Sequence, residues 1–114
     1  MKRGDIWWVD LEPTQGREQR GHRPVLVISH TKFNAAAGVA IVCPISSGAA
    51  FARNRGFAVP LEGAGLKTRG VVLVYQVRVL DVTSRPGRFI ERVPEALIAD
   101  VVERLQTIIA DPGR

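Results

Sequence analysis

Cysteine is almost missing from this chain: Cys43 is the only one in 114 residues. No internal disulfide can close, and one thiol with two histidines makes a poor zinc site. Long apolar runs are missing as well, with nothing near the ~20 residues of a membrane-spanning helix. The opening MKRGDIWWVD has no apolar stretch of signal-peptide length, because Asp5 and Asp10 bracket too few residues. No repeat, low-complexity tract or linker interrupts the chain. These scarcities lead to the expectation of a single domain over residues 1–114 in a reducing cytoplasm, with no metal, no cofactor and no membrane.

What is present suits a soluble core. Hydrophobic residues are 46% and charged residues 24%, and a chain of this size can bury about half to two-thirds of its unfolded surface. The net charge of +5 is unevenly spread. Residues 1–50 sum to +2 and residues 89–114 to −2. Residues 51–88 sum to +5, from seven basic side chains against Glu62 and Asp81. A basic centre gains from displacing counterions off phosphates, so it suits a polyanion, although charge placed for solubility gives the same composition.

Apolar patterning predicts many short strands followed by one helix, an α+β arrangement. DIWWVDL (5–11) reads as a strand with Ile6 and Trp8 on one face and Trp7, Val9 and Leu11 on the other. Residues 12–22 read as a polar loop, PVLVIS (24–29) as a strand covered on both faces, and TKFNAAAG as a short helical turn ending at Gly38. VAIVCPIS (39–46) reads as a strand in which Pro44 signals an edge or a bulge. A loop (47–56), a short strand FAVPL (57–61) and a glycine-rich turn (62–70) follow. VVLVYQVRVLD (71–81) is the longest strand candidate. In the tail, Leu97, Ile98, Val101, Val102, Leu105, Ile108 and Ile109 form one helical stripe, with Pro94 suited to the first helical position and Asp111-Pro112-Gly113 as a stop. Two-faced strands plus so apolar a helix exceed the needs of an isolated small barrel, which predicts a twofold dimer.

The stretch REQRGHRPVLVIS (17–29) sets an arginine, Arg23, where a polar loop becomes a buried strand. With RGDIWWVDLEPTQGREQRGHRPVLVIS, PISSGAAFARNRGFAVPL, RGVVLVYQVRVLD and ERVPEALIADVVERL in this order, the chain resembles the MazF/PemK (Kid) family of bacterial toxin endoribonucleases over residues 2 to 110. The phrase FAR…GFAVPL is shared with the PemK and ChpB branch. The resemblance implies an SH3-like β-barrel with a C-terminal helix, CcdB/MazF-like, assembled as a homodimer. It further implies metal-independent cleavage of single-stranded mRNA by 2′-hydroxyl attack, leaving a 2′,3′-cyclic phosphate and a 5′-hydroxyl. The implied partner is an antitoxin whose disordered C-terminal segment covers the RNA groove.

Carried onto this sequence, the resemblance assigns catalysis to Arg23, whose fork of donors matches phosphate oxygens and whose backbone Pro24 pushes toward an extended conformation. An arginine with a pKa above ~12 is a reluctant proton donor, so phosphate stabilisation is the expected role. The alternative is an ion pair with Glu18 or Asp10. Ser46 stands at the family's threonine position, where its hydroxyl can hold a phosphate or 2′-oxygen or simply cap a turn before Gly48. Glu18 is either a general base or a solvated loop carboxylate. RNA contacts are expected of Arg17, Gln19, His22, Ser47, Arg53, Arg55, Phe57, Arg69, Tyr75, Gln76 and Arg78. Phe57 has core packing as its alternative, and Gln76 a purely structural hydrogen bond. Of the two tryptophans, one is expected in the core and one at a dimer or antitoxin surface.

The Kid branch carries a histidine before the EQ pair, and an arginine and an aspartate in the strand before the conserved glutamine. Here those positions are Arg17, Leu73 and Tyr75. Leu73 cannot hold phosphate, and Tyr75, with a reference pKa near ~10, is a weak base that can instead stack on a base. Two other functions fit the same fold: a CcdB-like gyrase poison and a non-catalytic nucleic-acid-binding barrel. The first relies on a tryptophan at the helix end, where this chain reads ADPGR.

Overall fold

The computed structural model describes residues 1–11, 21–47, 56–84 and 87–113. The elements in chain order are β1 (Asp5–Asp10), β2 (His22–Val27), α1 (Thr31–Ala37), β3 (Val39–Ser46), β4 (Ala58–Pro60), β5 (Val71–Leu73), a 3-10 turn (Val74–Gln76), β6 (Arg78–Asp81), β7 (Gly87–Arg92) and α2 (Glu95–Ile109). Among the described residues, seven strands form one antiparallel sheet along the path β4-β5-β3-β2-β1-β7, with β6 also paired to β3.

Period-two alternation divides most of the core into two clusters, beside a small third one of Ala58, Val71 and Leu73. Ile6, Leu26, Ile28, Cys43 and Ile45 face the larger cluster, which α2 covers with Ile98 and Val101 while Leu97 and Leu105 pack against it. Val9, Leu11, Val25, Val27, Ala40, Val42 and Leu80 face the second cluster, with Trp7 packed at its side. The apolar run in β2 therefore buries both faces, as its pattern predicts. Of the tryptophans, Trp7 packs against the second cluster and Trp8 is exposed. Short α1 ends at Gly38, which adopts the left-handed conformation and donates its N–H to the Asn34 carbonyl.

Several sequence expectations change. The long strand over 71–81 is two strands separated by a 3-10 turn, because β3 changes partner along its length. Val39–Val42 of β3 pair with β6, whereas Ile45 and Ser46 pair with β5. Pro44 stands at that change of partner, inside a central strand and not at an edge. The Ile28 N–H donates to the Ile41 carbonyl, so 41, 43 and 45 turn their backbone groups toward β2. The Pro44 nitrogen faces the other side, where the 3-10 turn interrupts the ladder, so its missing N–H breaks no β2–β3 bond. β2 starts at His22, two residues earlier than the apolar run suggests, because Asp10 and Val9 pair with His22 and Arg23. Pro94 is the residue before the first helical position, with extended ψ of 150°.

Strand β7 was not legible in the sequence. It lies at one end of the sheet path and, among the described residues, pairs only with β1. Its attachment is partly ionic: the buried Asp5 carboxylate accepts from Arg92 Nε and Nη2 at 3.2 and 3.1 Å. The same carboxylate accepts from Trp7 Nε1 at 3.1 Å and the Lys2 N–H at 2.9 Å. Asp81 closes β6, taking the Thr83 and Ser84 N–H groups on one oxygen.

Candidate nucleic-acid interface

Strand register brings the leading residues together. β2 and β3 pair Val25 with Pro44, Leu26 with Cys43 and Val27 with Val42. That ladder ends at Val25 and Pro44, so Arg23 lies two residues beyond it on β2 and Ser46 two residues beyond it on β3, where Ser46 pairs with Val71 of β5. Arg23 also pairs with Val9 of β1, and Arg78 pairs with Val42 of β3. Val9, Val25, Val42 and Leu80 all face the second cluster. By alternation Arg23, Ser46 and Arg78 share that face and border one end of the cluster. Arg78 Nη1 donates a long hydrogen bond, 3.4 Å, to the Leu11 carbonyl. Its guanidinium thus reaches the point where the polar segment 12–20 begins. Arg23 and Ser46 are half-buried.

A second group lies around the 3-10 turn. Phe57 and Tyr75 meet edge-to-face at 6.3 Å between centroids, and both are about half exposed, at 50% and 42%. Gln76 Nε2 donates to the Tyr75 hydroxyl at 3.1 Å. Phe57 is therefore a surface ring and not core. His22 is exposed and stacks on Trp8 with centroids 6.4 Å apart. Ser47 and Arg69 are exposed. Leu73 is fully buried with Ala58 and Val71, so this position serves core packing. Arg17, Glu18, Gln19, Arg53 and Arg55 lie outside the described residues.

Cys43 belongs to the larger core cluster, and burial pushes its thiol up to about 12. A thiolate nucleophile is excluded at neutral pH. Among the described residues no group of three or more His, Cys, Asp or Glu side chains converges to hold a metal ion, and no helix is long and apolar enough to cross a membrane.

One feature has no counterpart in the sequence patterns. Glu91 of β7 reaches the loop between β4 and β5. It accepts from the Lys67 N–H at 3.0 Å, the Thr68 N–H at 2.7 Å and the Thr68 hydroxyl at 2.6 Å. Partial burial alone raises this carboxyl, but the Thr68 and Lys67 hydrogen bonds and the Lys67 charge outweigh it and hold it below its ordinary value. A depressed carboxylate contributes stability above its unfolded pKa and loses it as pH falls through the folded one. Amide-exchange protection at Lys67 and Thr68 is therefore expected to hold at neutral pH and to fall on acidification below the usual carboxylate range. Protection that stays constant through that range would disprove the clamp.

Fold and site define a small, mostly antiparallel α+β protein that sets two arginines and a serine hydroxyl on one face of a sheet end. Comparisons give that class its family. Residues 2–109 match the model of the PemK-like, MazF-like toxins of type II toxin–antitoxin systems. The chain is 48% identical over 109 residues to the endoribonuclease PemK of Escherichia coli, covering 96% of this chain and 82% of the relative. The crystal structure of MazF from Deinococcus radiodurans superposes with a TM-score of 0.84 at 33% identity, covering 96% of both chains. A MazE–MazF crystal structure from the same organism gives 0.78 at 32%, over 96% of this chain and 95% of that one. The chain belongs to the PemK/MazF family: it is a type II toxin and an endoribonuclease.

Proposed function

We propose that this toxin cuts single-stranded mRNA in the cytoplasm at short sequences, without a metal, by internal attack of the ribose 2′-hydroxyl. The 2′-oxygen bonds to the adjacent phosphorus as its proton passes to a base. The bond from phosphorus to the 5′-oxygen breaks, and that oxygen gains a proton. A 2′,3′-cyclic phosphate and a 5′-hydroxyl result, with no change of oxidation state. The observation that carries this reading is the strand alternation that puts Arg23, Ser46 and Arg78 on one face of the sheet. Arg23 holds the negative charge that develops on phosphorus, from a strand paired with β1. Ser46 donates to a phosphate or 2′-oxygen. Glu18 is assigned the base. Phe57 and Tyr75 offer ring faces to unstacked bases, and Arg69, Arg78, Arg53 and Arg55 contact phosphates. Arg17, Gln19, His22, Ser47 and Gln76 complete the RNA contacts.

Two larger readings accompany this one. Glu91 joins the last strand of the sheet path to the loop beside its first, which supports an SH3-like barrel. Ile108 and Ile109 continue the stripe of α2 into solvent, which supports its use in a homodimer. The MazE–MazF complex of the Deinococcus relative supports an antitoxin partner; the disordered C-terminal segment of that antitoxin is taken to cover the RNA groove.

The test is to incubate the protein with mixed-sequence single-stranded RNA in EDTA and map the new ends. The expected products carry 5′-hydroxyls and cyclic phosphates at a recurrent short sequence. Intact RNA, or ends bearing 5′-phosphates, would sink the mechanism.

A further inference from the structure

The segment Lys67–Gly70 is held at two points. At one, the Glu91 carboxylate binds both the Lys67 and Thr68 N–H groups and the Thr68 hydroxyl. At the other, Gly70 lies so close to the end of β3 that a Cβ there would collide with the Ser46 carbonyl. The Gly70 carbonyl also accepts from the Leu61 N–H at 3.0 Å, which closes the loop. Arg69 stands between the two points. Its side chain is exposed, and among the described residues it has no hydrogen-bond or ion-pair partner. The loop surrounds an open cavity of about 710 Å³, lined by Leu61, Glu62, Leu66, Lys67, Arg69 and Gly70 among others.

A long, exposed cation on a free loop loses much rotamer and backbone freedom when it binds a phosphate. Fixing the backbone on both sides of Arg69 removes the backbone share of that cost before RNA arrives. Of the two anchors, the glycine contact acts through packing on Ser46 itself. The carboxylate acts from a different strand and, among the described residues, is bonded to none of those placed at the reacting phosphate.

We infer that Glu91 is a positioning residue for RNA: by clamping Lys67 and Thr68 to β7 it holds Arg69 beside the Ser46 end of β3, poised for a phosphate next to the scissile one. This rests on the proposed RNA cleavage. Glu91 itself meets no substrate, so its loss weakens binding through Arg69 and leaves the chemical step almost untouched.

A double-mutant cycle tests this, with affinity read by fluorescence anisotropy on a mixed-sequence 2′-O-methyl oligonucleotide, which the protein binds without cutting. Arg69→Ala is expected to weaken binding about 5- to 10-fold, the scale of one lost phosphate contact. Glu91→Ala is expected to do nearly the same, Glu91→Gln less, and the double variant no more than Arg69→Ala alone. With unmodified RNA at saturation, kcat of Glu91→Ala stays within about twofold of the parent. Wild-type affinity in Glu91→Ala, or losses that multiply in the double variant, overturn the inference. Should Glu91→Ala melt early, Thr68→Val, which removes one clamp bond, carries the same comparison at smaller amplitude. The proposed function fails separately: a wild-type protein that binds the methylated probe but leaves unmodified RNA whole defeats the cleavage reading, while the cycle still decides the role of Glu91.

Discussion

Replacing Arg23 by alanine is expected to lower kcat for RNA cleavage by at least ~10²–10³-fold while leaving the fold intact. One preorganised donor aimed at developing charge is worth about 3–4 kcal/mol of transition-state stabilisation. Arg23 is half-buried at a strand end, and its backbone pairs with Val9 whatever its side chain. The thermal midpoint should therefore move by only a few degrees. Arg23→Lys restores charge but not the planar fork, so it is expected to recover only part of the loss. Single-turnover cleavage in EDTA, paired with a melting curve, separates the two effects. An alanine variant that cuts at the parental rate would remove the central residue from the mechanism.

Gly70→Ala is expected to damage stability and activity together. Gly70 has a φ of +122°, and an added Cβ would run into the carbonyl of Ser46, with the Ile45 Cγ2 at 3.3 Å. Strained backbone costs about 1–3 kcal/mol and overpacking a similar amount, so a loss of ~2–4 kcal/mol is expected in urea unfolding. Relief of the collision must move the end of β3, so cleavage is expected to drop about tenfold or more even at temperatures where the variant is folded. Gly63→Ala is the control. Its φ of +85° is unfavourable, but nothing lies within 4 Å of its Cβ. It should cost only about 1–2 kcal/mol and leave cleavage unchanged. Equal losses from the two substitutions would disprove the contact argument.

Much of this fold was legible because its strands alternate cleanly. β1, β2 and α2 carry two-faced or striped patterns that translate directly into the two core clusters. The break inside residues 71–81 was not legible, since the stretch is rich in valine with Tyr75 and holds no glycine or proline. What divides them is the change of partner along β3, a tertiary fact with no local signal. β7 escaped because GRFIER mixes charge and apolar residues at a sheet end, where one row of neighbours suffices. The site divides in the same way. Arg23 and Ser46 were singled out through the family's motifs, and only the strand pairing shows that they share a face of the sheet. Glu91 had no signal at all: an acidic residue in a charged segment looks solvated until its 23-residue reach to Thr68 is seen.

The lone thiol has a practical use that follows from its burial. Cys43 is fully enclosed at the centre of β3 and held protonated by its surroundings. Alkylating reagents can meet it only when the sheet parts, so its labelling rate times cooperative opening in a native sample. Anything that grips the closed form, an oligonucleotide or an antitoxin peptide alike, slows that clock in proportion to its occupancy. The chain thus carries a built-in gauge of ligand engagement that needs no engineered probe.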